Sequence, residues 1–156
     1  MTKKVLLYGF YGIENAGNEA MLRALIEPIR KHYSGNVEFV VCNRHPSEAY
    51  DKEYGVRCIR NLEHTTREAA QNRWLRGLNP DDSPEFMELF KEVASSDLVI
   101  LGPGQYLVET GEYGLLKGAL AQFHMIFTMS KLSHVPFYGL ALGCEPLASP
   151  WSILSI

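Results

Sequence analysis

KVLLYGFYGIENAGNEAML, residues 4–22, is the stretch on which the rest of the reading depends. Its first part is an apolar run of strand length. From Asn18 onward the spacing is helical and puts Leu22, Leu25, Ile26, Ile29 and Tyr33 on one face. Pro28 is expected to kink that helix. Between strand and helix lie Gly9, Gly12 and Gly17, with two asparagines and two glutamates. A plain connection needs one or two turn residues. This many glycines let backbone come close to a ligand.

The alternation continues along the chain. NVEFVVCN (36–43) reads as a second strand, HPSEAYDKEYG (45–55) as a short helix stopped by glycine, and VRCIRN (56–61) as a third strand. TTREAAQNRWLRGL (65–78) and SPEFMELFKEVASS (83–96) read as two helices separated by NPDD. DLVILG (97–102) is a fourth strand and VPFYGLAL (135–142) a fifth. The apolar stretch GLLKGALAQFHMIFTMSKL (114–132) precedes the fifth strand. Lys117, Gln122, His124 and Lys131 interrupt it, so it reads as a helix buried on several faces rather than a membrane span. Strands alternating with helices give a Rossmann-like α/β fold: a parallel sheet with helices on both faces. The expected strand order is 3-2-1-4-5, with ligands beyond the carboxyl ends of the strands and a switch point between strands 1 and 4.

Composition bounds the function. The 156 residues suit a single domain over 1–156, and 46% hydrophobic residues suffice for a core. A net charge of −3 without a basic tail argues against nucleic acid as a partner. Cys42, Cys58 and Cys144 are dispersed, without metal-ligand spacing, as suits a reducing compartment. Cys42 and Cys58 fall in strands; Cys144 falls in a loop. No residue cluster points to a metal site.

Three glycine-rich loops follow strands 1, 4 and 5: GFYGIENAGNE, GPGQYLVETGEYG and GCEPLASP. In a parallel sheet they share one edge. The first has glycines at phosphate-loop spacing, but Asn18 and Glu19 stand where that chemistry needs lysine and a hydroxyl. The dinucleotide fingerprint is incomplete as well. Two readings remain open for the first loop. Free N–H groups at the helix start would favour an anion, or Asn18 merely caps the helix and the glycines merely turn the chain.

YGFYGIENAGNEAML (8–22), SDLVILGPGQYLVE (96–109) and VPFYGLALGCEPL (135–147) together resemble the amino-terminal half of the polysaccharide pyruvyl transferase family. The resemblance implies one half of a two-domain, glycosyltransferase-B-like architecture. It implies transfer of pyruvyl from phosphoenolpyruvate to a sugar of a cell-surface glycan or lipid-linked acceptor, with no further cofactor. It also implies a cytoplasmic location at the inner membrane surface, in exopolysaccharide or glycan biosynthesis. The family's second domain would begin just after Leu147. Without it the chain is expected to lack one cleft wall and to be inactive alone, with a homo-oligomer or a separate second domain covering the exposed face. The substrate-binding residues implied are Gly12, Asn15, Gly17, Asn18 and Glu19 in the first loop, with Gly102, Gly104, Gln105 and Glu109 in the second. No residue is assigned as acid or base.

The chain departs from the family pattern at five places, one of them Glu109, where the family tends to have aspartate. Asn18 replaces an aspartate, Pro103 and Gln105 interrupt a glycine run, and Glu145 adds negative charge near the third loop. These departures favour the alternative, a non-catalytic Rossmann-like binding or interaction module. Arg44 and His45, after strand 2, lie near the same edge, where Arg44 could meet an anionic or sugar ligand, but a surface turn is their expected role. His124 is expected to be a core histidine and Trp74 a helix anchor.

Overall fold

The computed structural model describes residues 2–62, 84–108 and 118–147. The expected helix over 65–78 with Trp74, the NPDD turn, Glu109 and the carboxyl-terminal ASPWSILSI lie outside the described residues. β1 (Lys3–Tyr11), β2 (Val37–Asn43), β3 (Arg57–Arg60), β4 (Leu98–Leu101) and β6 (Phe137–Gly139) form one parallel five-stranded sheet. Its order is β3-β2-β1-β4-β6. This is the expected α/β layout, except that the last strand is sixth in the chain. The loop after β4 contains a strand of its own, β5 (Gly104–Leu107), which pairs in parallel with β7 (Leu142–Cys144). The expected fifth strand over 135–142 is correspondingly shorter. Cys144 therefore lies in a strand rather than a loop, and it is exposed.

The helices are α1 (Ala16–His32), α2 (Glu48–Tyr54), α3 (Pro84–Ala94) and α4 (Gly118–Leu132). The two faces of β1 explain their placement, because alternate strand residues point to opposite sides. Val5, Leu7 and Tyr11 pack with Leu22 and Ile26 of α1 and Tyr54 of α2. Leu6 and Tyr8 pack with Leu89 and Val93 of α3 and Ile126 and Met129 of α4. Each of these β1 residues is 1% exposed or less. Full burial of one such aliphatic side chain is worth about 1.5–3 kcal/mol, so β1 is the structural centre of the fold.

Leu22 and Ile26 form the buried stripe of α1, while Tyr33 at its end is exposed. The helix runs through Pro28. Gly55 takes the left-handed conformation that ends α2, as its sequence predicts. In α4, Leu120, Ala121, Gln122, Ile126, Met129 and Ser130 are buried. No helix among the described residues is long and apolar enough to cross a membrane.

The amino edge of the sheet is held by charge. Lys4, Arg57 and Glu92 form a network, with Arg57 Nη2 2.7 Å from Glu92 Oε2, and Lys3 meets Asp97 at 2.8 Å. The carboxyl edge carries the glycine-rich loops.

Candidate functional site

β1 ends irregularly. Tyr8 pairs with Cys42 and Tyr11 with Asn43, so Gly9 and Phe10 are two extra residues in β1. The bulge turns Phe10 toward the second loop, where its ring stacks on Tyr106 with centroids 4.7 Å apart. Its carbonyl accepts a hydrogen bond from Asn18 Nδ2 at 2.8 Å. Asn18 is therefore a brace between α1 and β1 and not the helix cap. The cap is Asn15, whose Oδ1 accepts from Gly17 N at 2.9 Å and Asn18 N at 3.3 Å. Glu19 N donates to Asn15 O at 3.1 Å. The first-turn donors expected to meet an anion are thus already satisfied by Asn15, the residue type best suited to a cap.

Gly12 is required by its neighbours. Its φ is +72°, and a Cβ there would sit 2.0 Å from Asn43 Oδ1. That oxygen also accepts from His45 N at 2.7 Å, and Arg44 N donates to Tyr11 O at 3.1 Å. The end of β2 is thereby locked onto the end of β1, and Arg44 and His45 are carried to the loop containing Gly12. Glu19 completes the wall. Its two carboxylate oxygens accept from Gly12 N at 3.2 Å and from the Tyr50 hydroxyl at 2.6 Å. Burial first, and then the bond to Glu19, push the Tyr50 phenol far above its ordinary range. Tyr50 is consequently a donor at any physiological pH and not a base.

A cavity of about 560 Å³ opens between these elements. Gly12, Ile13, Glu14 and Glu19 line it from the β1 side, Arg44 and His45 from β2, and Tyr50, Glu53 and Tyr54 from α2. Glu53 is held by Arg23 at 2.6 Å, and the Arg23 guanidinium lies 4.6 Å from the Tyr54 ring centroid. Among the described residues, the Arg44 side chain has no ion-pair or hydrogen-bond partner. Among the described residues, a larger hollow of about 670 Å³ is lined by α3 and by no loop of this edge.

The second and third loops do share the edge with the first, but they close on each other. Leu140 N donates to Leu101 O at 2.9 Å, and Gly104 N to Ala141 O at 3.3 Å. A Cβ on Gly102 would lie 1.8 Å from Leu140 O, and one on Gly104 would lie 2.2 Å from the Phe10 ring. The close approaches these glycines allow are filled by the chain itself. Tyr11 Oη donates to Gly102 O, and Asn61 Nδ2 donates to Gly9 O at 3.0 Å, so the floor is braced from below. Gln105 is exposed, and its Cγ would be 2.8 Å from a Cβ on Gly143.

The sequence-selected residues therefore fall into two groups. Gly12 and Glu19 line the cavity, with Asn15, Gly17 and Asn18 shaping the loop behind it. Gly102, Gly104 and Gln105 build the neighbouring β5–β7 layer. Glu109 lies outside the described residues. Glycine content alone singled out the loops after strands 1, 4 and 5, and it passed over Tyr50, Glu53 and Tyr54. The signal available was the strand order itself. In 3-2-1-4-5, strand 2 adjoins strand 1, so the Arg44–His45 turn flanks the first loop. The histidine of α4, His124, is half-buried, and burial lowers its pKa; it contributes nothing to this edge.

No family model, curated protein or solved structure matches the chain.

Proposed function

We propose that this chain supplies the acceptor-binding half of a pyruvyl transferase, in which pyruvyl from phosphoenolpyruvate becomes a ketal on a sugar of a cell-surface glycan. The observation that carries the reading is that the loops after β1, β4 and β6 lie at one sheet edge, where the first of them lines an open cavity with the β2 turn and α2. The three motifs that resemble the family supply those loops. Ketal formation joins two sugar oxygens to C2 of the donor, protonates its C3 and releases phosphate. The acceptor hydroxyls need both donors and acceptors around them, and Arg44, His45, Glu14 and Glu19 are both kinds. The acid that protonates C3 and the groups that receive the phosphate belong to a second domain of the same architecture. In this reading the protein works in the cytoplasm at the inner membrane surface.

A second reading has one specific observation in its favour. Leu140 and Phe10 occupy the approaches to Gly102 and Gly104, as in an interaction module whose glycines serve packing.

The chain is incubated with phosphoenolpyruvate and a panel of cell-surface glycans, alone and with the carboxy-terminal half of a pyruvyl transferase. Phosphate release and the ketal methyl resonance are read together. The expected result is no ketal from the chain alone and ketal from the mixture. Turnover by the chain alone would put the chemistry in this half. Glycan binding without ketal in either arm would favour the binding module.

A further inference from the structure

We infer that the cavity between the β1 loop, the β2 turn and α2 is a subsite for an uncharged sugar ring, with Arg44 as its specificity-determining residue. The inference rests on the reading of this edge as an acceptor site and names what the site takes.

The charge of the lining decides between ligand classes. Glu14, Glu19 and Glu53 face the cavity, with Arg44 the guanidinium on the wall and His45 beside it. Glu53 is paired with Arg23, and Glu19 is engaged by Gly12 N and Tyr50. A phosphate or a diphosphate would meet three carboxylates in the same lining, where like charges repel. A cationic ligand would find Glu53 and Glu19 already engaged by Arg23, Gly12 N and Tyr50, and would meet the Arg44 guanidinium. A hydroxyl both donates and accepts, so a polyol uses both kinds of wall. Carboxylate oxygens with spare lone pairs take its protons, and Arg44, which has no protein partner among the described residues, donates to its oxygens.

Shape agrees with this chemistry. Tyr50 and Tyr54 lie with ring centroids 4.4 Å apart and line one side of the cavity. Tyr54 is buried, with Tyr50 and the Arg23 guanidinium against its ring, so the aromatic surface offered to the C–H groups of a pyranose is that of half-buried Tyr50. The volume, about 560 Å³, is within the range of small-ligand pockets. The wall is also preorganised. Asn43 fixes the backbone of His45, the Tyr11 carbonyl fixes that of Arg44, and Glu19 ties Gly12 to Tyr50.

Backbone amide shifts are followed by NMR while methyl glycosides of glucose, galactose and mannose are titrated to millimolar concentration. Inorganic phosphate and phosphoenolpyruvate are titrated in parallel. The expected result is that at least one glycoside shifts residues 12–19 and 44–54 and that neither anion does. Arg44→Ala should weaken that glycoside roughly tenfold, the size of one lost charge-assisted hydrogen bond. Arg44→Lys should recover only part of it. Arg44 is half-buried, and an unchanged spectrum elsewhere shows that the variants are folded. Absence of shifts with all three glycosides, stronger shifts with phosphate, or full affinity in Arg44→Ala overturns the inference. Glycoside binding at these residues with no ketal in the transfer assay would leave the subsite standing and remove the pyruvyl reading. Ketal formation without shifts at these amides would remove the subsite alone.

Discussion

Asn18 Nδ2 donates to the Phe10 carbonyl at 2.8 Å, tying the first turn of α1 to the bulge that ends β1. The bond reverses the role that position suggests for an asparagine at a helix start. Asn18→Ala should cost about 0.5–1.5 kcal/mol by removing one part-buried hydrogen bond. Asn18→Asp should cost at least as much, because a carboxylate has no proton to give the carbonyl. Asn15→Ala should cost about 0.5–2 kcal/mol, and Asn15→Asp should be nearly neutral because aspartate caps as well. Urea unfolding of the four variants checks this. A neutral Asn18→Asp with a damaging Asn15→Asp would move the cap back to Asn18.

The glycines of the candidate loops should respond unequally. At Gly102, φ is +130° and an added Cβ meets the Leu140 carbonyl at 1.8 Å, which is backbone and cannot yield. Gly102→Ala should cost more than about 3 kcal/mol, the sum of overpacking and backbone strain. Gly17 lies in the first turn of α1, and its nearest added contact is Asn15 Oδ1 at 3.2 Å. There alanine's better helix propensity, about 1 kcal/mol, offsets a slight crowding of the cap, and Gly17→Ala should stay within about 1 kcal/mol of the parent. Soluble yield and unfolding midpoints distinguish the two. Equal damage at both positions would contradict the packing described for Gly102.

The central layout was legible because its signals are strong. The apolar run of β1 is buried on both faces, Gly55 ends α2, and the alternation of strands and helices leaves few topologies. What sequence patterning missed depends on contacts distant in the chain. β5 exists because Gly104 and Gln105 reach Leu142 and Gly143, an encounter no local pattern announces. The cap moved from Asn18 to Asn15 because both are asparagines within one helical turn, and only the bulge at Phe10 decides which faces the chain. In the cavity, Glu19 and Gly12 were found from their loop. Tyr50 and Glu53 were not, because a seven-residue helix with polar and aromatic residues looks like surface. Arg44 and His45 became site residues through the pairing of β1 with β2, not through anything in the motif RHP.

The charge network at the amino edge should set the acid limit of stability. Burial pushes the Glu92 carboxyl upward, but its bonds to Arg57 and Lys4 outweigh that, and its pKa is lowered in the fold. A carboxylate depressed on folding stabilises the protein above its unfolded pKa of about 4.3. That contribution is lost as pH falls through the lower folded value. Glu92→Gln should therefore reduce stability at neutral pH and flatten the decline below about pH 4. Unfolding midpoints from pH 7 to pH 2 would test it. A parallel decline in both proteins would mean that other carboxylates carry the acid sensitivity.

Glu19 and Tyr50 should behave as one unit, since the phenol donates to Oε2 at 2.6 Å while Gly12 N uses Oε1. Glu19→Ala removes both acceptors, so both bonds are lost. Tyr50→Phe removes only the hydroxyl. If the pair holds the loop against α2, the double variant should cost less than the sum of the single ones. The coupling should be about 1 kcal/mol, typical of a hydrogen bond to a charged group that is partly exposed. Hydrogen exchange at the Gly12 amide should quicken in Glu19→Ala and much less in Tyr50→Phe, because the Oε1 bond survives only in the latter. Additive costs with unchanged Gly12 exchange would leave the cavity wall held by the Asn43 contacts alone, and Glu19 would no longer be the brace between loop and helix.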